Sequence, residues 1–237
     1  MFIHFLLLAF APATSAPAGT ALTADGIVAR MVLADNQRLA AFAGYPGARR
    51  YHFENGKFGK SADVLVRLRC DAAGAKTFEV VDESGSPFVR NKVIRRMIDA
   101  EREASEQGEH QQTRIIPLNY DFRLLGLDTI EGRPAYVLEI NPKTDNKYLV
   151  RGRIWVDAED FAIARVEGSP ARSFSFWVRS VHVVQQYKRV GPLWLPVTNE
   201  SDAKVRIFGS TELKIDYFDY VLNTQQARAQ SAHTHEE

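Results

Sequence analysis

A single cysteine, Cys70, stands among 237 residues. One thiol can close no disulfide within the chain and cannot build a cysteine-based zinc site. Neither sign of charge dominates, because 30 Lys+Arg against 29 Asp+Glu leave a net charge of +1. That excludes a nucleic-acid binder held by bulk positive charge, and equally an acidic solvating tail. Catalytic signatures are scarce as well. There is no G-x-S-x-G elbow and no H-E-x-x-H helix. Gly59-Lys60-Ser61 ends like a phosphate loop, but Glu54 occupies the position of the required first glycine. The segment also runs into a strand pattern where a phosphate loop opens a helix, so it reads as a hairpin turn.

What is present is an ordinary globular composition, 45% hydrophobic and 25% charged. The first residues form a separate signal. Phe5 to Ala11 is an apolar run too short for the roughly 20 residues that cross a bilayer, and Ala16-Pro17-Ala18 offers a small-residue cleavage site. The pattern predicts a signal peptide over 1–18, a folded domain over 19–222 and a disordered polar tail over 223–237. The mature chain is expected to be soluble and extracytoplasmic. No cysteine follows the apolar run, so no lipid anchor at a mature N-terminus is expected, nor any transmembrane anchor.

Periodicity divides the domain. Val28, Met31, Val32, Leu39 and Phe42 share one helical face, with Thr23 as N-cap and Gly44 as stop, predicting a helix over 23–44. A two-residue period follows, clearest where Ala62, Val64, Val66, Leu68 and Cys70 alternate with Asp63, Leu65, Arg67, Arg69 and Asp71, and Phe78 and Val80 begin a return strand. Ser86-Pro87 then starts a second helix, with Val89, Val93, Ile94, Met97 and Ile98 along one stripe. Beyond Pro117 the two-residue period returns and persists nearly to the end. About ten closely spaced antiparallel strands interrupted by one helix predict a mainly β (α+β) domain, a sandwich or barrel-like sheet.

Candidate chemistry is sparse. His52, His110 and His182 are isolated in sequence, and His233 and His235 lie in the tail. A general acid or base needs an orienting partner, and none is adjacent to any of them. Cys70 falls in phase with the apolar side of its strand and reads as a buried inert thiol. Asp157, Glu159 and Asp160 surround a tight turn, which fits a solvated hairpin tip better than a calcium site. No enzyme activity, cofactor, metal or nucleic-acid partner is expected. An apolar sheet face with a covering helix suits either a packed core or a lipid cavity, since both give the same alternation.

The order of segments, with Asn119-Tyr120-Asp121-Phe122-Arg123-Leu124-Leu125-Gly126, Gly132-Arg133-Pro134-Ala135-Tyr136-Val137-Leu138, Gly152-Arg153-Ile154-Trp155-Val156-Asp157 and Val190-Gly191-Pro192-Leu193-Trp194-Leu195-Pro196, resembles the LolA/LolB-like superfamily. Within it the chain is similar to the secreted outer membrane lipoprotein-sorting group. The resemblance implies an incomplete antiparallel β-barrel whose apolar concave side is closed by helices. It also implies a soluble, monomeric carrier or binding protein for lipid or acylated lipoprotein, served by a membrane-bound donor or acceptor protein. An RseB-like envelope-stress sensor using the same cavity is the alternative. Alternation then predicts the cavity wall: Val64, Val66, Leu68, Phe78, Val80, Tyr136, Leu138, Ile140, Ile154, Val156, Leu213, Ile215 and Tyr217. Val93, Ile94 and Met97 are the expected lid stripe.

Overall fold

Ten strands align in one antiparallel sheet in the computed structural model, which describes residues 22–106, 110–173, 176, 178–207 and 209–222. In chain order they are β1 (Tyr45–Asn55), β2 (Lys60–Cys70), β3 (Lys76–Gly85), β4 (Tyr120–Ile130), β5 (Arg133–Pro142), β6 (Val150–Asp157), β7 (Ile163–Pro170), β8 (Val178–Val190), β9 (Leu193–Val205) and β10 (Gly209–Phe218). The spatial order is β3-β2-β1-β10-β9-β8-β7-β6-β5-β4. β10 therefore closes against β1 while β3 and β4 stay unjoined as edges, and the barrel is incomplete. The predicted signal and tail lie outside the described residues.

Helix α1 (Ala24–Ala40) begins where predicted, because the Thr23 side chain accepts a hydrogen bond from the Gly26 N–H and caps the first turn. It ends at Ala40, four residues before the predicted stop. Gly44 serves instead as the bend into β1. Its φ is +82°, and a Cβ there would lie 2.3 Å from the Cys70 carbonyl oxygen. The second helix, α2, runs without a break through Pro87–Val89, a π-helical turn Arg90–Ile94, and Arg95–Glu106. A short helix, α3 (His110–Thr113), and an irregular stretch lead back to β4.

The strand register settles which side of the sheet each residue occupies, since directly paired residues share a face. One unbroken row reads Val80, Val66, Arg49, Tyr217 on β3, β2, β1 and β10. A parallel row two residues along reaches Ile215 and continues through Asn199, Gln185, Val166, Ile154, Leu138 and Leu124 to the β4 edge. Both helices rest on this face. α1 buries Ile27, Val28 and Met31 against Tyr120, Leu138, Ile140, Leu149, Ile154, Val156 and Val166. α2 buries Val89, Ile94 and Ile98 against Tyr51, Ala62, Val64, Val66 and Ile215. Each fully covered aliphatic side chain contributes about 1.5–3 kcal/mol to holding its helix down.

The π turn decides which side of α2 faces inward. An ordinary helix would bring Val93 and Met97 round to the side of Val89. The extra residue in the turn places Ile94, five residues on, directly beyond Val89, and Ile98 follows. Val93 is left half-buried and Met97 is 37% exposed. Glu83 fixes the turn from β3, accepting hydrogen bonds from Arg90 and Arg95 at 2.6 Å each.

Candidate functional site

Beside the C-terminal end of α1 the covered face stays open. A cavity of about 690 Å³ is walled by Met31 and Leu39 of α1, by Phe42 just beyond it, by Tyr45 and Cys70 at the ends of β1 and β2, and by Ile163, Tyr187, Leu193 and Leu195 across β7, β8 and β9. That volume and its mainly apolar lining are those of a small-molecule site. Arg38, Lys76 and Arg114 bring positive charge to its border, with Asp35 as the opposing acid. Arg38 donates to the Asp160 carbonyl, and Arg114 binds Asp35 at 2.6 Å. Burial raises the phenols of Tyr45 and Tyr187 to about 12 and pushes the Cys70 thiol up. These groups line the cavity in neutral form.

The predicted wall residues lie elsewhere on the same face. Val64, Val66, Val80, Leu213, Ile215 and Tyr217 belong to the cluster beneath α2, which Phe78 shares with a third cluster. Tyr136, Leu138, Ile140, Ile154 and Val156 pack beneath α1. Leu68 joins Tyr45, Cys70, Leu193 and Leu195 in the third cluster. None of the thirteen lines the open cavity. Of the expected lid stripe, Ile94 is buried, Val93 packs beside it, and Met97 turns outward.

Arg49, which stands with Arg50 as a basic pair expected on the outer face of the sheet, lies on the opposite side. It sits on the covered face and is 3% exposed. The guanidinium lies between the rings of Phe78 and Tyr217, 5.3 and 4.8 Å from their centroids. Two hydrogen bonds, 2.6 and 3.0 Å, join it to the Glu101 carboxylate on α2, and Lys76 from β3 reaches the same carboxylate at 2.6 Å. Burial alone would raise the Glu101 carboxyl. The Arg49 hydrogen bond and the two cations outweigh burial and bring it down to about 2. For Arg49 burial opposes the charge, yet the bond to Glu101 prevails and the guanidinium is more firmly protonated than usual. The signal available in sequence was an arginine at an inward position of an alternating strand, opposite Val66.

A polar patch interrupts the inward row on β8 and β9. Asn199 donates to Gln185 at 2.7 Å, Ser201 donates to Asn199 at 2.9 Å, and Gln185 donates to the Thr198 carbonyl at 3.0 Å. The histidines lie apart from it. His52 pairs across strands with Asp63 at 2.9 Å, both nearly half exposed, and His182 lies 3.7 Å from Glu167. His110 falls where side chains are not described. Asp157 is the buried centre of its turn, accepting from Arg133 at 2.6 and 2.9 Å and from the backbone N–H groups of Glu159 and Asp160. Among the described residues no group of three or more His, Cys, Asp or Glu is placed to hold a metal ion. No helix among them is long and apolar enough to cross a membrane.

A family of unknown function (DUF5686) matches residues 118–224, which hold β4 to β10. No curated protein matches the sequence. Among solved structures, a domain described as outer membrane lipoprotein-sorting, from Vibrio parahaemolyticus, is similar with a TM-score of 0.42 at 13% identity, over 84% of this chain and 97% of that one. A DUF1329 family protein from Desulfovibrio piger gives 0.41 at 12% identity, over 85% and 93%. A LolA superfamily protein from Nitrosomonas europaea gives 0.36 at 13%, over 86% and 94%. At such identity none of them assigns a role to a residue of this chain.

Proposed function

We propose that this protein is a periplasmic carrier or binding protein for lipid or lipidated protein, holding an acyl chain between α1 and the sheet. The observation that carries the reading is the apolar cavity of about 690 Å³ on the helix-covered face of an open barrel. Transfer of acyl chain from water supplies about 0.8 kcal/mol per buried methylene, so a partly enclosed chain gives useful affinity without specific polar contacts. Arg38, Lys76 and Arg114 at the border favour an amphiphile with an anionic head. Export is part of the proposal, with residues 1–18 removed as the signal. No chemical step is assigned to the protein.

The test is native mass spectrometry of the exported chain purified without detergent. An adduct that denaturation releases as phospholipid or acylated peptide is the expected result. Leu39, on α1 at the cavity and 53% exposed, provides the variant. Leu39→Trp should occlude the cavity and weaken uptake of a fluorescent acyl probe at least tenfold, with the melting temperature unchanged. A protein that carries no adduct and takes up no probe would overturn the reading.

A further inference from the structure

Net neutrality hides a separation of charge along the strands. Four hairpin connections cap each end of the barrel. At the end where β1 finishes and β10 begins, segments 56–59, 143–149, 171–177 and 206–208 carry Lys57, Lys143, Lys147, Arg172 and Arg206 against one acid, Asp145. At the opposite end, segments 71–75, 131–132, 158–162 and 191–192 carry Asp71, Glu131, Glu159 and Asp160 and no Lys or Arg. Several of those acids are matched by strand cations, Glu131 by Lys188 at 2.7 Å and Glu159 by Arg133 at 3.0 Å. Four of the five cations, among the described residues, are not. Among the described residues only Lys143 has a carboxylate in ion-pair range, Asp121 at 3.6 Å.

The same end carries large apolar side chains turned to solvent. Phe58, Phe88, Leu118, Tyr148, Phe176 and Ile207 are each 48–74% exposed, one on nearly every connection in sheet order. Three of the cations sit over these rings: Lys57 on Phe58, Lys147 on Tyr148, and Arg206 on Phe176 at 4.3 Å. The connections also hold one another. Lys57 donates to the Ile207 carbonyl at 2.6 Å and Lys143 to the Pro117 carbonyl at 2.7 Å. Lys147, Arg172, Arg179 and Arg206, with Phe176, border one basin at this end. Exposed apolar side chains normally scatter singly over a surface. Here they form a rim, alternating with uncompensated positive charge.

We infer that this rim docks on an anionic lipid bilayer. Aromatic and aliphatic tips enter the headgroup layer while the lysines and arginines meet lipid phosphates, the pairing that holds peripheral proteins at membrane surfaces. The cavity lies toward the acidic end, near Gly74, Phe161 and Leu193, so docking leaves it facing away from the bilayer and accessible to a partner. The inference does not rest on the cavity's contents, and its failure would leave the carrier reading untouched.

Vesicle co-sedimentation of the exported chain tests it, with phosphatidylcholine alone and with about one third phosphatidylglycerol. Binding should require the anionic lipid and weaken with salt. Replacing a cation by a neutral residue should lower the partition coefficient roughly fivefold, so Lys57→Gln with Arg206→Gln should lower it about 25-fold. Phe58→Ser with Tyr148→Ser should weaken binding with little change in its salt dependence. Melting curves and the acyl-probe assay should be unchanged in both variants. Equal binding to neutral and anionic vesicles, no binding to either, or retention on an acidic polypeptide without any vesicle binding would each overturn the inference.

Discussion

Removing Glu101 should harm this protein more than removing Arg49, although the two make the same ion pair. Arg49 is 3% exposed, enclosed by Phe78, Tyr217 and Tyr51, and its Nε already lacks a hydrogen-bond partner. Glu101 is one-third exposed and retains Lys76 if Arg49 is lost. Glu101→Ala strands a buried cation that cannot reach water, a loss of about 3 kcal/mol, the low end for a broken buried pair because one partner is solvated. Arg49→Met keeps the apolar stem between the rings and leaves a carboxylate that can hydrate, so about 1–2 kcal/mol is expected. The double variant should be more stable than Glu101→Ala alone. Urea unfolding of the four proteins measures this directly, and Glu101→Ala should also lower the melting temperature by about 6–12 °C. If Arg49→Met proved the more damaging, or if the two losses simply added, the buried guanidinium would not be what Glu101 is there to neutralise.

Four further outcomes are expected. Because Glu101 titrates near 2 in the folded protein against 4.5 unperturbed, its contribution is complete above pH 4.5 and lost as pH falls through about 2. The stability gap between wild type and Glu101→Gln, from urea midpoints, should shrink over that interval and stay constant above it. Asp157→Asn should cost about 2–3 kcal/mol by thermal melt, since its amide nitrogen would face the Nε–H of Arg133 that Oδ2 now accepts at 2.6 Å. Cys70, buried at the cavity with its thiol pushed up, should react with a disulfide reagent at pH 8 at least tenfold more slowly than in urea, and more slowly again with an acyl probe bound. Hydrogen exchange should show residues 99–106 of α2 less protected than 89–98.

The strands were legible wherever one face was apolar and the other charged. β2 alternates from Ala62 to Cys70 with Leu65 as the one apolar residue on its outer face, and its burial follows that pattern. β9 was not legible in the same way. It runs unbroken from Leu193 to Val205, although its inward positions include Asn199 and Ser201, which pair with Gln185 and one another in place of apolar neighbours and interrupt the alternation. The π turn was invisible for a different reason: its extra residue changes the phase of α2 without any residue type that marks it. Arg49 reads as an outer-face residue because the counter-charge that lets it be buried is 52 residues away on another element. Alternation placed the thirteen apolar residues on the correct face, and could not tell a covered region from an open one. That distinction depends on where two helices happen to stop.

Those stopping points differ in kind. α1 presses Ile27, Val28 and Met31 into the larger cluster, and its far end borders the cavity through Leu39, with Phe42 just beyond it. α2 has no buried apolar side chain after Ile98. Its last two turns are held by Glu101 to Arg49 and Lys76, and by Ser105 accepting from the Lys76 N–H at 3.0 Å. Apolar burial has no substitute in water, whereas exposed hydrogen bonds exchange for hydration at small net cost. The two parts of α2 therefore differ: 89–98 is fixed by cluster packing, while 99–106 is held by polar contacts, chief among them the Glu101 bond that neutralises the buried Arg49. Lys76 belongs both to this polar hold and to the cavity border, so removing Glu101 changes the charge presented at the cavity.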